Sequence, residues 1–310
     1  MDPLVLYGLN IIVFIGIFAI VALSLNLEYG FTGLSNFGKV AFFLIGAYGY
    51  TLLAQAGVHF ILALILAALI AGIFGLFVSL PALRLREDYL AIVTLAFGEV
   101  IRIVVKAEHW IARGVWGIVV PPAIDLGDVA YGITVLVNIG LVFFCLIFVF
   151  IFVQSLVNSP YGRILRAIRE DDVAADALGK DRFKYKAQVF MMSSTIAGLA
   201  GALFAQYLGY IDPQMFLPIL TFTIWIMVIL GGPANNWGVI LGAALVQIFE
   251  RGTVIIKDYI ALPFDPNNVQ AILLATLIII ILLYRPSGLS KEDQVKTLGN
   301  ERALKWLNRS

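Results

Sequence analysis

The chain has few of the residues that build catalytic and metal sites. Among 310 residues there are one cysteine and two histidines. Cys145, in an apolar run, is the single cysteine, so an internal disulfide is excluded, and His59 and His109 are far apart in sequence. Clustered histidines, cysteines or paired carboxylates at active-site spacing are missing as well. We therefore expect no catalytic residues, no metal site and no cofactor, which disfavours a membrane-embedded enzyme.

Charged residues are also scarce. Only 13% of the residues are charged and 61% are hydrophobic, with a mean hydropathy of +0.96. Because soluble domains average about 25% charged residues, this composition indicates a polytopic protein of the lipid bilayer. The formal net charge of +1 predicts no nucleic-acid partner. Met1-Asp2-Pro3 lacks a basic n-region, so we expect no cleavable signal peptide.

Long apolar runs recur along the chain, and in lipid they must form helices that satisfy their own backbone. The sequence therefore predicts an all-α, polytopic transmembrane helical bundle of about 8–10 spans. The second and seventh segments contain or end in glycine-rich interruptions, so some spans are expected to be broken or re-entrant. The nine predicted segments are 5–26, 31–54, 59–82, 89–105, 132–156, 188–210, 217–232, 237–256 and 268–284.

Basic residues are distributed unevenly about these segments. In a nine-span arrangement, fifteen Lys and Arg residues fall on one side and three on the other. The positive-inside rule makes the basic side cytoplasmic. We therefore predict a transmembrane domain over 1–286 in the cell membrane, with a cytoplasmic loop at 158–187 and a cytoplasmic C-terminal tail at 287–310.

The loop at 158–187 is the longest polar interruption in the chain, and it is patterned like two short helices. Ser159 precedes Pro160 as an N-cap, and the acidic cluster Glu170, Asp171 and Asp172 suits the start of a second helix. Ala174 and Ala175 would let another protein approach the backbone closely, and Gly179 would end the helix. This pattern predicts a docking surface; the alternative is a plain solvated loop.

Several polar residues fall within or beside the apolar segments. Glu99, Arg102 and Lys106 share one helical stripe, which could flank a translocation path or face a partner. Mutual neutralisation of Glu99 and Arg102, with Lys106 reaching the outer interface, is slightly favoured. Asn36 and Lys39, at a glycine-rich break, are further candidates for the path, whereas Glu28 is interpreted as interfacial.

A short internal echo links two breaks in the chain. Asn36-Phe37-Gly38 with Gly46-Ala47 is similar to Asn236-Trp237-Gly238 with Gly242-Ala243. Transporters are often built from two related halves with interrupted helices at corresponding places. The match is short, so a true repeat and coincidence both remain open.

The run GRILRAIREDDVAADALG (162–179) resembles the coupling loop of ABC importer permeases, in the branch that carries branched-chain amino acids, the LivM type. The resemblance extends in order over nearly the whole chain. It includes the stretches GFTGLSNFGKVAFFLIGAY (30–48), DYLAIVTLAFGEVIRIV (88–104), AGLAGALFAQYLGYIDPQMF (197–216) and LGGPANNWGVILGAAL (230–245).

This resemblance implies a permease subunit without its own ATPase motif. Its implied partners are a homologous second permease, cytoplasmic ATP-binding subunits that grip 170–179, and an extracytoplasmic substrate-binding protein. The chain departs from the family pattern at Lys39 and at Ala112-Arg113-Gly114-Val115-Trp116-Gly117, which leaves the substrate open. Urea or short amides are alternative cargoes. An ion-coupled secondary transporter that uses Glu99 is the alternative from another class.

Overall fold

The computed structural model describes residues 3–85, 87–109, 113–122, 131–259, 276, 283 and 288–292. In these residues the chain is almost entirely helical. The helices are α1 (Pro3–Thr32), α2 (Lys39–Gln55), α3 (Phe60–Ala82), α4 (Glu87–Ala107), α5 (Tyr131–Asn158), α6 (Pro160–Glu170), α7 (Asp172–Ala177), α8 (Arg182–Leu208), α9 (Pro218–Gly231) and α10 (Asn236–Tyr259).

The all-α prediction for a polytopic membrane protein is confirmed. Four helical stretches in the described residues are long and apolar enough to cross a membrane: Val5–Thr32, Phe60–Ala82, Ile133–Asn158 and Arg182–Leu208. Pro218–Gly231 is a shorter apolar helix. Eight of the nine predicted segments coincide with α1–α5 and α8–α10, while the ninth, 268–284, lies outside the described residues except for Thr276 and Leu283.

Three predicted boundaries are wrong by six residues or more, all beside polar sequence: the end of the first segment, predicted at residue 26, and the starts of the second and sixth. The second segment was predicted from residue 31, but α1 continues to Thr32 and α2 begins only at Lys39, so 33–38 is a non-helical break. The sixth segment was predicted from residue 188, but α8 begins at Arg182. Its first turn is polar, and the helix begins there because Asp181 caps it by accepting a hydrogen bond from the Lys184 amide at 3.1 Å.

Small residues let the central helices approach closely. A Cβ at Gly46 in α2 would overlap the backbone of Gly198 in α8, and one at Gly201 would overlap the carbonyl of Phe43. Gly75 in α3 lies equally close to Ser194 of α8. Such contacts replace the hydrophobic driving force that lipid cannot supply. They hold α2, α3 and α8 together beside α1, whose side chains from Ile17 to Leu25 are almost completely buried.

The two ends of the bundle differ in structure. At one end, the short strands β1 (Ile118–Val119) and β2 (Tyr210–Ile211) pair antiparallel, with Ile118 opposite Ile211. At the other end lie α6 and α7. The 27 residues of α8 connect the two ends, which corresponds to about 40 Å along the helix axis.

Candidate functional site

The loop between α5 and α8 is capped at each helix start. Ser159 accepts a hydrogen bond from the Tyr161 amide at 3.1 Å, and Pro160 occupies the first turn of α6. Asp171 caps α7 by accepting hydrogen bonds from the amides of Val173 (3.0 Å) and Ala174 (2.9 Å). Gly179 follows α7 with a φ of +78°, a conformation that favours glycine. The caps predicted from the sequence are therefore confirmed.

Several apolar side chains are exposed on and just after α7, although Asp176 of the same helix is exposed too. Val173 is 68% exposed and Leu178 is 80% exposed. Ala174, Ala177, Glu170 and Asp171 are exposed too, whereas Ala175 is only 3% exposed. We call the exposed residues Val173, Ala174, Ala177 and Leu178 the α7 tip. Ala175 belongs to the packing of this chain, so a large residue there would disturb the loop itself.

Ion pairs fasten α7 to the start of α8. The Asp172 carboxylate lies 2.9 Å from the Arg182 guanidinium and 3.3 Å from the Lys186 ammonium, and Asp176 lies 3.0 Å from Arg182. Partial burial opposes ionisation of Asp172, but Lys186 and Arg182 together hold its pKa below the usual value. A carboxyl group whose pKa is lower in the folded state than in the unfolded state stabilises the fold at pH values above the unfolded-state pKa. This stabilisation is lost only when the pH falls through the folded-state pKa. The α7–α8 contact therefore persists at neutral pH.

The break at 33–38 is enclosed by protein, and side chains from other helices satisfy its backbone. The Phe37 amide donates to Thr94 Oγ1 of α4 at 3.1 Å, and the Val40 amide donates to Thr221 Oγ1 of α9 at 3.2 Å. Trp225 Nε1 donates to the Asn36 carbonyl at 3.1 Å. Non-helical backbone at membrane depth requires such partners. Hydrogen bonds from side chains of α4 and α9 therefore fix the backbone of the break within the bundle.

A fully buried ion pair lies beside this break. Lys39 Nζ is 2.9 Å from Glu28 Oε2, and both side chains are 0% exposed. Asn36 Nδ2 donates to both Glu28 oxygens, at 3.1 and 3.3 Å. Lys39 also donates to Ser193 Oγ of α8, and Ser193 in turn donates to the Ser24 carbonyl at 2.6 Å. We call Glu28, Asn36, Lys39 and Ser193 the charged cluster.

A second break, at 232–235, separates α9 from α10 and is neutral. Asn26 of α1 donates to Asn236 Oδ1 at 2.9 Å and accepts from the Ala234 amide at 2.9 Å. Asn236 donates to Gln154 Oε1 of α5 at 2.8 Å. We call Asn26, Gln154 and Asn236 the amide cluster. Both breaks are therefore attached to α1 through an asparagine, Asn36 within the first break and Asn236 directly after the second.

The third polar group in the bundle is local to one helix. Arg102 donates to both carboxylate oxygens of Glu99 one turn earlier, and the Nε–Oε2 distance is 2.9 Å. The Glu99 side chain is 35% exposed and that of Arg102 is 11% exposed. The predicted pairing within the helix is confirmed. The arrangement neutralises both charges without help from another helix.

Comparison with known proteins identifies the family. Residues 7–282 match the family model described as the permease component of the branched-chain amino acid transport system. The chain belongs to this family. No solved structure matches it.

Curated members of the permease family align with almost the whole chain. A probable branched-chain amino acid transport permease protein LivM of Methanocaldococcus jannaschii is 31% identical over 93% of this chain and 94% of its own length. The high-affinity LivM permease of Escherichia coli K12 is 32% identical over 88% of this chain and 67% of its own. A probable LivH permease of M. jannaschii is 26% identical over 92% of each chain.

In this permease the structure separates the residues that were predicted as sites. Asn36 and Lys39 meet in the charged cluster, Glu99 and Arg102 form a separate pair on α4, and residues 170–179 lie at the end of the bundle. In the described residues, no group of three His, Cys, Asp or Glu side chains could hold a metal ion.

The sequence prediction missed two members of the charged cluster, Glu28 and Ser193. The interpretation of Glu28 as an interfacial residue is wrong, because its side chain is fully buried against Lys39. The signal that could have found it is the pairing of two unlike charges on either side of a glycine-rich break. An isolated lysine in an apolar segment requires a partner, and Glu28 is the nearest carboxylate in sequence.

Proposed function

We propose that this chain is a membrane permease subunit of an ATP-driven importer of branched-chain amino acids. It would form the translocation path with a homologous second permease, a pairing supported by the similarity to both LivM and LivH proteins. Energy would come from cytoplasmic ATP-binding subunits, and an extracytoplasmic binding protein would deliver the amino acid. The chain itself would carry no ATP chemistry.

The α7 tip is the observation that carries this proposal. Leucine and valine side chains 80% and 68% exposed at the end of a capped, charged loop are costly in water unless a partner covers them. Asp171 and Asp181 cap α7 and α8, and Asp172 is paired with Arg182, so α7 is attached to the start of α8. A cytoplasmic ATPase is the partner proposed for this surface.

Substitutions at Ala174 test the docking role at one exposed position. Ala174→Trp should prevent co-purification of the ATP-binding subunits with the permease pair, because the bulk prevents close approach. Ala174→Ser, which keeps a small side chain, should retain them. Membrane insertion of both variants is checked by expression level and detergent extraction. Normal ATPase retention by Ala174→Trp would contradict docking at the α7 tip.

Orientation can be tested with two residues of equal exposure at opposite ends. Trp116 and Leu178 are each 80% exposed. In a Cys145→Ala background, Trp116→Cys should react with an impermeant maleimide in intact cells, whereas Leu178→Cys should react only after permeabilisation. This result would place α7 in the cytoplasm, as the proposal requires. The reverse pattern would overturn the orientation and the docking argument.

The C-terminal tail is proposed to be cytoplasmic by the same argument. Glu292 contacts Arg166 and Arg169 of α6, so residues 288–292 lie at the same end of the bundle as the loop at 158–187, which we call the coupling loop. A cysteine substituted at Ser290 should therefore share the labelling behaviour of one at Leu178. Labelling of Ser290→Cys in intact cells would contradict this placement.

The proposal assigns Asn36 and Lys39 to the edge of the translocation path, because broken membrane helices mark binding regions in transporters. Arg113 to Trp116 lie at the opposite end from α7, where they would meet the binding protein. Val115 is 53% exposed there, and the Trp116 carbonyl is fixed by the Tyr210 hydroxyl at 2.7 Å. These departures from the family pattern would then affect binding-protein docking rather than cargo choice.

Cargo is tested by competition in proteoliposomes that contain the complete assembly. Unlabelled leucine, isoleucine and valine should each reduce uptake of labelled leucine, whereas sugars and metal ions should not. If urea or short amides were transported and leucine were not, the cargo assignment would fail while the energy source remained.

A further inference from the structure

Arg169, near the end of α6, contacts two parts of the molecule that are distant in sequence. Its guanidinium donates to the carbonyl of Gly30, in the last turn of α1. It also donates to both carboxylate oxygens of Glu292, at 2.9 and 3.0 Å. The Gly30 carbonyl is one of the last four of α1, which lack partners within the helix, so a cation there is favourable.

The neighbouring Arg166 supports the same junction. Its guanidinium lies 5.5 Å from the ring centre of Phe31, and its Nε is 3.7 Å from Glu292. Gly33, which opens the break at 33–38, has a φ of +74° and lies directly against Arg169. A Cβ at Gly33 would be 3.2 Å from Arg169 Cγ. The coupling loop thus touches the break at its first residue.

The segment that carries Glu292 is itself fastened to the second break. The Leu289 amide donates to the Leu230 carbonyl at 2.9 Å, and the Ser290 amide donates to the Gly231 carbonyl at 3.1 Å. Asn235 Nδ2 donates to the Lys291 carbonyl at 2.9 Å. Residues 288–292 therefore form a clasp on the α9–α10 turn, and Arg169 connects this clasp to α1.

The charged side chains of the two short helices reach different parts of the bundle, although Tyr161 of α6 also donates to Gln188 Oε1 of α8 at 3.2 Å. Asp172 and Asp176 tie α7 to α8, whereas Arg169 ties α6 to α1 and to the clasp. A push on the α7 tip would be transmitted along two routes. The route through Arg169 ends at Gly33, six residues from Lys39 of the charged cluster.

We propose that Arg169 is a positioning residue that transmits movement of the coupling loop to the α1–α2 break. It does so by holding the last turn of α1 and Glu292 of the clasp at the same time. The inference rests on the proposed function, because it needs an ATPase that moves the loop. It assigns a coupling role to a residue that contacts neither the exposed α7 tip nor the charged cluster.

The test uses the complete assembly in proteoliposomes and measures the number of ATP molecules hydrolysed for each leucine imported. Arg169→Gln loses the charge that joins Gly30 and Glu292 and should raise this ratio about fivefold or more, because coupling between sites is typically worth that factor. Arg163→Gln is the matched control, since Arg163 is exposed on the same helix and makes no ion pair among the described residues. Its ratio should equal that of the unchanged protein.

Two further variants separate coupling from folding. Arg169→Lys keeps the charge but cannot span both partners with a planar fork, so its ratio should also rise. Glu292→Gln weakens only the link to the clasp and should give an intermediate ratio. Each variant should still co-purify with its ATP-binding subunits, which distinguishes this inference from the docking test at Ala174.

An unchanged ratio in Arg169→Lys and Glu292→Gln, with the ATP-binding subunits retained, would overturn the inference. If uptake and hydrolysis fell together in these variants at a constant ratio, Arg169 would have only a structural role, and the inference would be overturned as well. Failure of the unchanged assembly to hydrolyse ATP during uptake would instead overturn the proposed function.

Discussion

The two helix breaks share a backbone plan but differ in charge. Each begins at a glycine with positive φ, Gly33 at +74° and Gly232 at +105°. Each is connected to α1 by an asparagine, since Asn36 within the first break binds Glu28 and Asn236 directly after the second binds Asn26. The first break carries a buried ion pair, whereas the amide cluster at the second carries no formal charge.

This difference has energetic consequences. A buried ion pair gains little over well-packed apolar residues, but losing one partner leaves an uncompensated charge and costs about 3–5 kcal/mol. A buried amide that loses its partner costs about 1–3 kcal/mol. The first break is therefore the more sensitive to any movement that separates its partners, while the second is additionally held by the clasp at 288–292.

The largest expected effect is at the charged cluster. Lys39→Met should destabilise the protein by about 3–5 kcal/mol, because it leaves the Glu28 carboxylate buried without its cation. Thermal unfolding of the detergent-purified permease measures the loss. The double variant Glu28→Gln with Lys39→Met removes both charges and should recover much of it. A double variant less stable than the single one would show that the ion pair is not what the break depends on.

A smaller effect is expected at the amide cluster. Asn236→Ala removes the partner of Asn26 Nδ2 and of Gln154 Oε1, so we expect a loss of about 1–3 kcal/mol in the same assay. Asn235→Ala is a neighbouring comparison that leaves the amide cluster intact, because half-buried Asn235 donates to the Lys291 carbonyl and caps α10 by accepting from the Gly238 amide at 3.0 Å. If Asn236→Ala cost as much as Lys39→Met, the distinction between the two breaks would be lost.

The smallest effect is expected at the Glu99–Arg102 pair. The pair is confined to one helix and a glutamine can still accept a hydrogen bond from Arg102, so we expect Glu99→Gln to change stability less than Asn236→Ala does. Leucine uptake should remain close to that of the unchanged protein at pH 6 and at pH 8. Loss of uptake in Glu99→Gln, with ATP still present, would instead favour a carrier that moves an ion on Glu99.

Helix type and capping could be predicted from the sequence because their signals are local. Apolar runs of about 20 residues require helices in lipid, and the Ser159-Pro160 and Gly179 signals depend only on neighbouring residues. The glycine-rich stretch before Lys39 similarly indicated a broken span, which the structure places at 33–38.

The partners of the buried residues could not be predicted in the same way. Lys39, which pairs with Glu28, also donates to Ser193, more than 150 residues later. Ala175 is buried although its neighbour Ala174 is exposed. Such contacts depend on which helices pack together. Small residues such as Gly46 and Gly198 mark a close helix contact, but the sequence alone does not show which helix each of them contacts. The contacts of Arg169 could not be predicted from the sequence for the same reason, because Gly30 and Glu292 are both distant from it in sequence.

The most direct test of this account is hydrogen exchange at the two breaks during ATP-driven transport. With the complete assembly in lipid nanodiscs, we expect amides in 33–40 to exchange faster when ATP and leucine-loaded binding protein are present. Amides in 231–236, held by the clasp, should exchange at the same rate in both states. The same increase in exchange rate at both breaks, or an increase only at 231–236, would contradict the claim that the coupling loop acts on the break at 33–38.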